Sequence, residues 1–85
     1  MKALEFIDLA MDKIIESNSE LGILKSELEL VWFNHTIRNK KALFTVITED
    51  GSKDRYFEVT HCHAESCLIV DEYLEVSKTS FSLDN

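Results

Sequence analysis

Asp50-Gly51, set between two runs of alternating apolar and polar residues, constrains this chain more than any other feature. Glycine accepts the positive φ that a tight hairpin turn needs, so the dipeptide ties its flanking runs into antiparallel neighbours. Before it, residues 42–49 (Ala42-Leu43-Phe44-Thr45-Val46-Ile47-Thr48-Glu49) read as a strand. After it, residues 54–61 read as another, with Phe57 and Val59 inward and Glu58 and Thr60 outward. A third strand lies upstream. From Ser26 onward Leu28, Leu30 and Trp32 alternate with Glu27 and Glu29, and Leu30-Val31-Trp32-Phe33 is rich in strand-favouring side chains. The pattern predicts a strand over 26–37, joined to the next by a polar turn at Arg38-Asn39-Lys40-Lys41. Two consecutive hairpins make a three-stranded antiparallel meander.

The ends of the chain read as helices. Leu4, Ile7, Met11 and Ile14 recur at helical spacing over residues 3–17, widened by Phe6, Ala10 and Ile15. Ser17-Asn18-Ser19 ends this helix, because short polar side chains compete for its backbone hydrogen bonds. From Ala64 to about Ser77, Cys67, Val70 and Leu74 again fit helical spacing, with Ile69, Tyr73 and Val76 beside them. The expected fold is α+β: helix, three-stranded antiparallel meander, helix, arranged as a two-layer sandwich. Eighty-five residues suffice for one domain, 1–85, with 79–85 as a frayed polar tail. Leu28, Leu30, Trp32, Phe57 and Val59 are expected beneath the two helices. Val31, Phe33, Ile37 and Tyr56, of opposite parity, would then give the other sheet face a candidate binding or dimer surface.

Charge is unevenly spread. The net charge is −7, and residues 1–30 and 64–85 contribute −4 each, whereas residues 31–63 contribute +1. Such a balance repels a phosphate backbone and disfavours direct nucleic-acid binding. No apolar run approaches the roughly 18–20 residues of a membrane-spanning helix. Acids at Glu5 and Asp8 interrupt what would be the apolar region of a signal peptide, and two cysteines are too few for a disulfide framework. The expectation is a reducing cytoplasm with Cys62 and Cys67 as free thiols.

His61-Cys62-His63-Ala64-Glu65-Ser66-Cys67 gathers metal-ligating side chains but lacks the C-x₂-C or H-x₃-H spacing of a zinc site. Neighbours on a strand point to opposite faces, so His61 and His63 share a side that Cys62 does not. Cys67 is expected as a buried thiol on a helix's apolar face. Gly22 and Gly51 are the chain's only glycines, which leaves no phosphate-binding loop and no nucleophile elbow. Arg38, Lys40 and Lys41 read as a solvated turn. No catalytic residue, metal or cofactor is expected.

What remains is surface. Glu5, Asp8, Asp12 and Glu16 share one face of the first helix, and Asp71, Glu72 and Glu75 fall on the acidic face of the second. On one sheet these would form a single acidic side that attracts basic partners. In size, charge and element order the chain is similar to small acidic regulators of phages and mobile elements: antitoxins, immunity proteins, and anti-restriction and anti-CRISPR inhibitors. That likeness is one of type and assigns no residue roles. It implies a non-enzymatic protein-binding module that occupies a basic surface of a nucleic-acid-binding partner. The second reading is a homodimeric accessory protein assembled through the exposed sheet face. A small metal or thiol protein using His61, Cys62, His63 and Cys67 is the third.

Overall fold

The computed structural model describes residues 2–35, 39–47, 55–75, 77 and 79–83. One helix, α1 (Ala3–Ser17), is followed by four strands: β1 (Leu28–His35), β2 (Asn39–Val46), β3 (Arg55–Cys62) and β4 (Cys67–Leu74). They form one antiparallel sheet in the order β1-β2-β3-β4, an uninterrupted meander. The α+β class expected from the sequence stands. The helix–meander–helix order does not, because the expected second helix is a fourth strand. The Asp50-Gly51 turn lies outside the described residues, while the strands on either side of it pair antiparallel.

Helix α1 buries Phe6, Ala10 and Ile14, an i, i+4, i+8 line, with Ile7, Met11 and Ile15 partly covered beside it. Leu4, which belongs to the expected stripe, is exposed. The helix stops where the sequence says it should. Asn18 Nδ2 donates to the Ile14 carbonyl at 3.0 Å, and the Asn18 backbone N–H donates to the same oxygen at 3.1 Å. Those bonds satisfy a carbonyl of the last turn and leave a buried asparagine with its amide engaged. Gly22 then turns the chain at φ +62°, a left-handed value that costs glycine little. A single 3-10 turn, Lys25–Glu27, leads into β1, with the Leu24 N–H donating to the Glu27 carboxylate at 2.7 Å.

The helix lies on one sheet face over Ala42, Phe44, Phe57 and Val59, all fully buried, with Leu28 and Ile23 closing the core. The shortest dimension of the molecule is 21 Å, which fits one helix layer on one sheet layer and no third layer. The opposite sheet face carries no helix among the described residues, although Thr45 on it is buried.

Two local decisions differ from the alternation read in the sequence. The first is a β-bulge. Leu30 pairs with Phe44 but Trp32 pairs with Leu43, so Val31 is an extra residue and the parity of β1 inverts beyond it. Leu28 remains buried, yet Trp32 turns to the open face, and Phe33 turns to the helix, its ring 5.9 Å from that of Phe6. Leu30 keeps the helix side but stays more than a third exposed, at the edge of the sheet. Of the five expected core residues, Leu28, Phe57 and Val59 are buried; Leu30 and Trp32 are not. Of the residues expected on the other face, Tyr56 is there, Val31 is exposed at the bulge, Phe33 is not there, and Ile37 lies outside the described residues.

The second is β4. Cys67-Leu68-Ile69-Val70-Asp71-Glu72-Tyr73-Leu74 satisfies helical spacing at Cys67, Val70 and Leu74, but it also satisfies period two at Leu68 and Val70. As a strand it sets Val70 opposite Val59 and Ile69 opposite Thr60, branched pairs that suit a pleated surface. It also supplies hydrogen-bond partners to β3, which would otherwise be an open edge. The four-residue turn His63–Ser66 closes the hairpin with one bond, Ser66 N–H to the His63 carbonyl at 3.2 Å.

Candidate functional site

Strand status for residues 67–74 redistributes the carboxylates expected to form one acidic side. Adjacent strand residues face opposite ways, so Asp71 goes to the open face and Glu72 to the helix side, where Arg55 binds it at 2.9 Å. Glu75 lies just beyond β4, exposed. Glu5, Asp8, Asp12 and Glu16 are all exposed on α1. Asp8 and Asp12 both pair with Lys25, the latter at 3.1 Å, and Glu16 pairs with Lys13 at 2.9 Å. Hydrogen bonds to Asp8 and Asp12 raise the Lys25 pKa above its ordinary value, and the bond to Glu16 does the same for Lys13. The seven acids do not form one surface. Four of them, Asp8, Asp12, Glu16 and Glu72, already hold a cation of this chain.

The metal-ligating cluster is divided by the sheet itself. His61 stands on the helix side, its ring 6.5 Å from that of Phe6, whereas Cys62 and Cys67 stand on the open face. His63 sits in the turn, its ring 6.4 Å from that of His61. Among the described residues no group of three or more His, Cys, Asp or Glu side chains is placed to hold a metal. Cys67, expected on a buried helical face, is a half-exposed strand residue. Burial raises its thiol pKa, helped by the hydrogen bond it donates to the Glu65 carboxylate at 3.7 Å. Asn39, Lys40 and Lys41, expected in a turn, lie on β2; Arg38 lies outside the described residues.

A groove of about 650 Å³ runs between α1 and β4. Leu9, Leu68 and Val70 supply its apolar lining, and the Lys13–Glu16 ion pair stands at its rim. His61 borders it. Burial lowers the His61 pKa, and Lys40, directly opposite on β2, lowers it further.

The helix-free sheet face offers a more specific arrangement. Three rows that cross all four strands run over it, beside a shorter one of Asn39, Cys62 and Cys67. Glu29, Thr45, Tyr56 and Tyr73 form one; Trp32, Leu43, Glu58 and Asp71 the next; Asn34, Lys41, Thr60 and Ile69 the third. Trp32, Ile69 and Tyr73 are 39%, 44% and 50% exposed, large values for side chains of this size on a sheet, while Leu43 and Tyr56 are half-buried. Within this apolar frame Glu58 and Asp71 face each other directly. Like charges in such a pair repel at a Cβ separation of roughly 4.5–5.5 Å. Lys41 reaches Glu58 at 3.3 Å, and no described residue pairs with Asp71. Tyr56 and Tyr73, opposite each other, flank the two carboxylates on one side, and Ile69 neighbours Asp71 on the other. Counting Glu29, Glu58 and Asp71 against Lys41, the described face carries a net charge of −2.

Sequence reasoning anticipated an apolar outer face with Tyr56 on it, but not Trp32 or Tyr73. The alternation of β1 pointed to Phe33, and only the bulge exchanges it for Trp32. The pairing of Glu58 with Asp71 had no signal in the sequence without a fourth strand.

A one-helix, four-strand meander with one face open defines a small α+β class of domain. The profile of a family of unknown function (DUF6275) matches residues 1–83, and the chain belongs to that family. No curated protein and no solved structure matches it. Among the described residues no helix is long and apolar enough to cross a membrane.

Proposed function

We propose that the protein is a non-enzymatic binding module, of the regulator or inhibitor type, whose open sheet face holds a basic surface of a protein partner. The observation that carries this reading is the Glu58–Asp71 carboxylate pair framed by Tyr56, Tyr73, Ile69 and Trp32. An arginine side chain suits that frame on three counts. Its guanidinium adds to Lys41 in offsetting the two carboxylates, its planar fork donates to Asp71, which no described residue pairs, and its stem and π face pack on tyrosine. A nucleic-acid-binding protein presents such arginines, and the carboxylates would then stand where phosphates stand. Charge complementarity disfavours a second copy, since two chains of net −7 would meet. The acidic side of α1 is a weaker candidate because its aspartates are engaged by Lys25.

Amide shift mapping with a short arginine–leucine peptide tests this. The expected shifts fall on Trp32, Glu58, Asp71 and Tyr73, disappear in Asp71→Asn with Tyr73→Ala, and shrink with salt. Shifts confined to Glu5, Asp8, Asp12 and Glu16 would return the site to the helix. A stable dimer by light scattering at micromolar concentration would give the face to a second copy instead.

A further inference from the structure

Cys62 ends β3 and Cys67 begins β4, and the two are direct register partners, so their side chains leave the sheet on the same side, at the end of the groove that Cys67 helps to line. Directly opposed residues of an antiparallel pair have Cα atoms roughly 4.5–5.5 Å apart and Cβ atoms at a similar distance. A disulfide accepts Cα separations of about 4.4–6.8 Å and Cβ separations of about 3.5–4.5 Å. Closing the bond therefore asks for no more than about 1 Å of approach. The place allows it: the pair sits at the end of a hairpin whose turn is closed by one backbone bond, and β4 is an edge strand held on one side by β3. Both residues are free and half-exposed, within reach of a small reagent. After burial and the Glu65 carboxylate, a charge on Cys62 also raises the Cys67 pKa.

We propose that Cys62 and Cys67 form a reversible redox pair, which closes an intramolecular disulfide across the β3–β4 hairpin when the chain meets a small-molecule disulfide. One thiolate attacks the reagent's S–S bond and expels one small thiol, leaving a mixed disulfide. The second thiolate then attacks the protein sulfur of that mixed disulfide and expels the other. Two protein thiols are oxidised, one reagent disulfide is reduced to two thiols, and the two cysteine protons end on the leaving sulfurs. The bond fixes edge strand β4 on β3 at the corner of the face that carries Asp71 and Tyr73. The inference is independent of what that face binds.

The full-length protein is incubated with excess oxidised glutathione near pH 8, where thiolate forms, and compared with protein kept in dithiothreitol. The expected product is a monomer lighter by two hydrogen atoms, with no thiol alkylated even after denaturation. Its melting temperature rises by roughly 5–15 °C and returns on reduction. Cys62→Ser and Cys67→Ser should each stop at a single glutathione adduct. Two free thiols after oxidation, a doubly glutathionylated chain, or covalent dimers as the main product would each overturn the pairing.

Discussion

Replacing Trp32 by alanine distinguishes the two faces of β1 and puts a number on the bulge. Trp32 is 39% exposed, so about three-fifths of an indole side chain that can cover roughly 250 Å² touches the protein, on the order of 150 Å². Alanine keeps part of that contact and the unfolded chain already covers some, which leaves on the order of 80 Å² of net loss. At ~25 cal/mol per Å² the cost is about 2 kcal/mol. No cavity forms, because the vacated space opens to solvent. Phe57, fully buried against α1, gives the contrast. Phe57→Ala loses its whole ring contact and leaves a void, at a cost of ~3–5 kcal/mol. Urea unfolding followed by far-ultraviolet circular dichroism measures both, and an unchanged slope with denaturant shows that the unfolded states are comparable. Were Trp32→Ala as costly as Phe57→Ala, the indole would lie in the core and the bulge at Val31 would be misplaced. Phe33→Ala checks the same register from the other side: it should cost more than Trp32→Ala, since Phe33 packs on Phe6.

His61 should make stability depend on pH. Its native pKa lies below the ordinary 6.5, through burial first and Lys40 second, so folding favours the neutral ring. That contribution is complete above about pH 6.5 and is lost as pH falls through the lowered native value. The melting temperature should drop between about pH 7 and pH 5 by more in the wild type than in His61→Gln, and parallel curves would remove His61 from the account. At Gly22, where φ is +62° and nothing lies within 4 Å of an added Cβ, strain is the whole effect. Gly22→Ala should cost about 1 kcal/mol and Gly22→Asn less, because asparagine tolerates the left-handed region. Equal stability of the alanine variant and the wild type would contradict that backbone conformation.

Elements whose signals are local were legible from the residues alone. The extent of α1 follows from a stripe of spacing three and four, and its end from Asn18, whose side chain and backbone reach the same carbonyl. The pairing of β2 with β3 follows from two alternating runs around Asp50-Gly51. The tertiary structure decided what local signals leave balanced. Residues 67–74 fit both periods, and as a strand they pair with the backbone row that β3 presents and set Val70 against Val59. That choice splits Asp71 from Glu72, breaks up the expected acidic side, and sets Asp71 against Glu58 and Cys67 against Cys62. The bulge at Val31 is a second decision of the same kind. Alternation along β1 is a property of the chain, but where it slips depends on fitting β1 to β2 while Phe33 meets Phe6. A one-residue slip reverses every later side chain, and so an indole comes to stand on the open face.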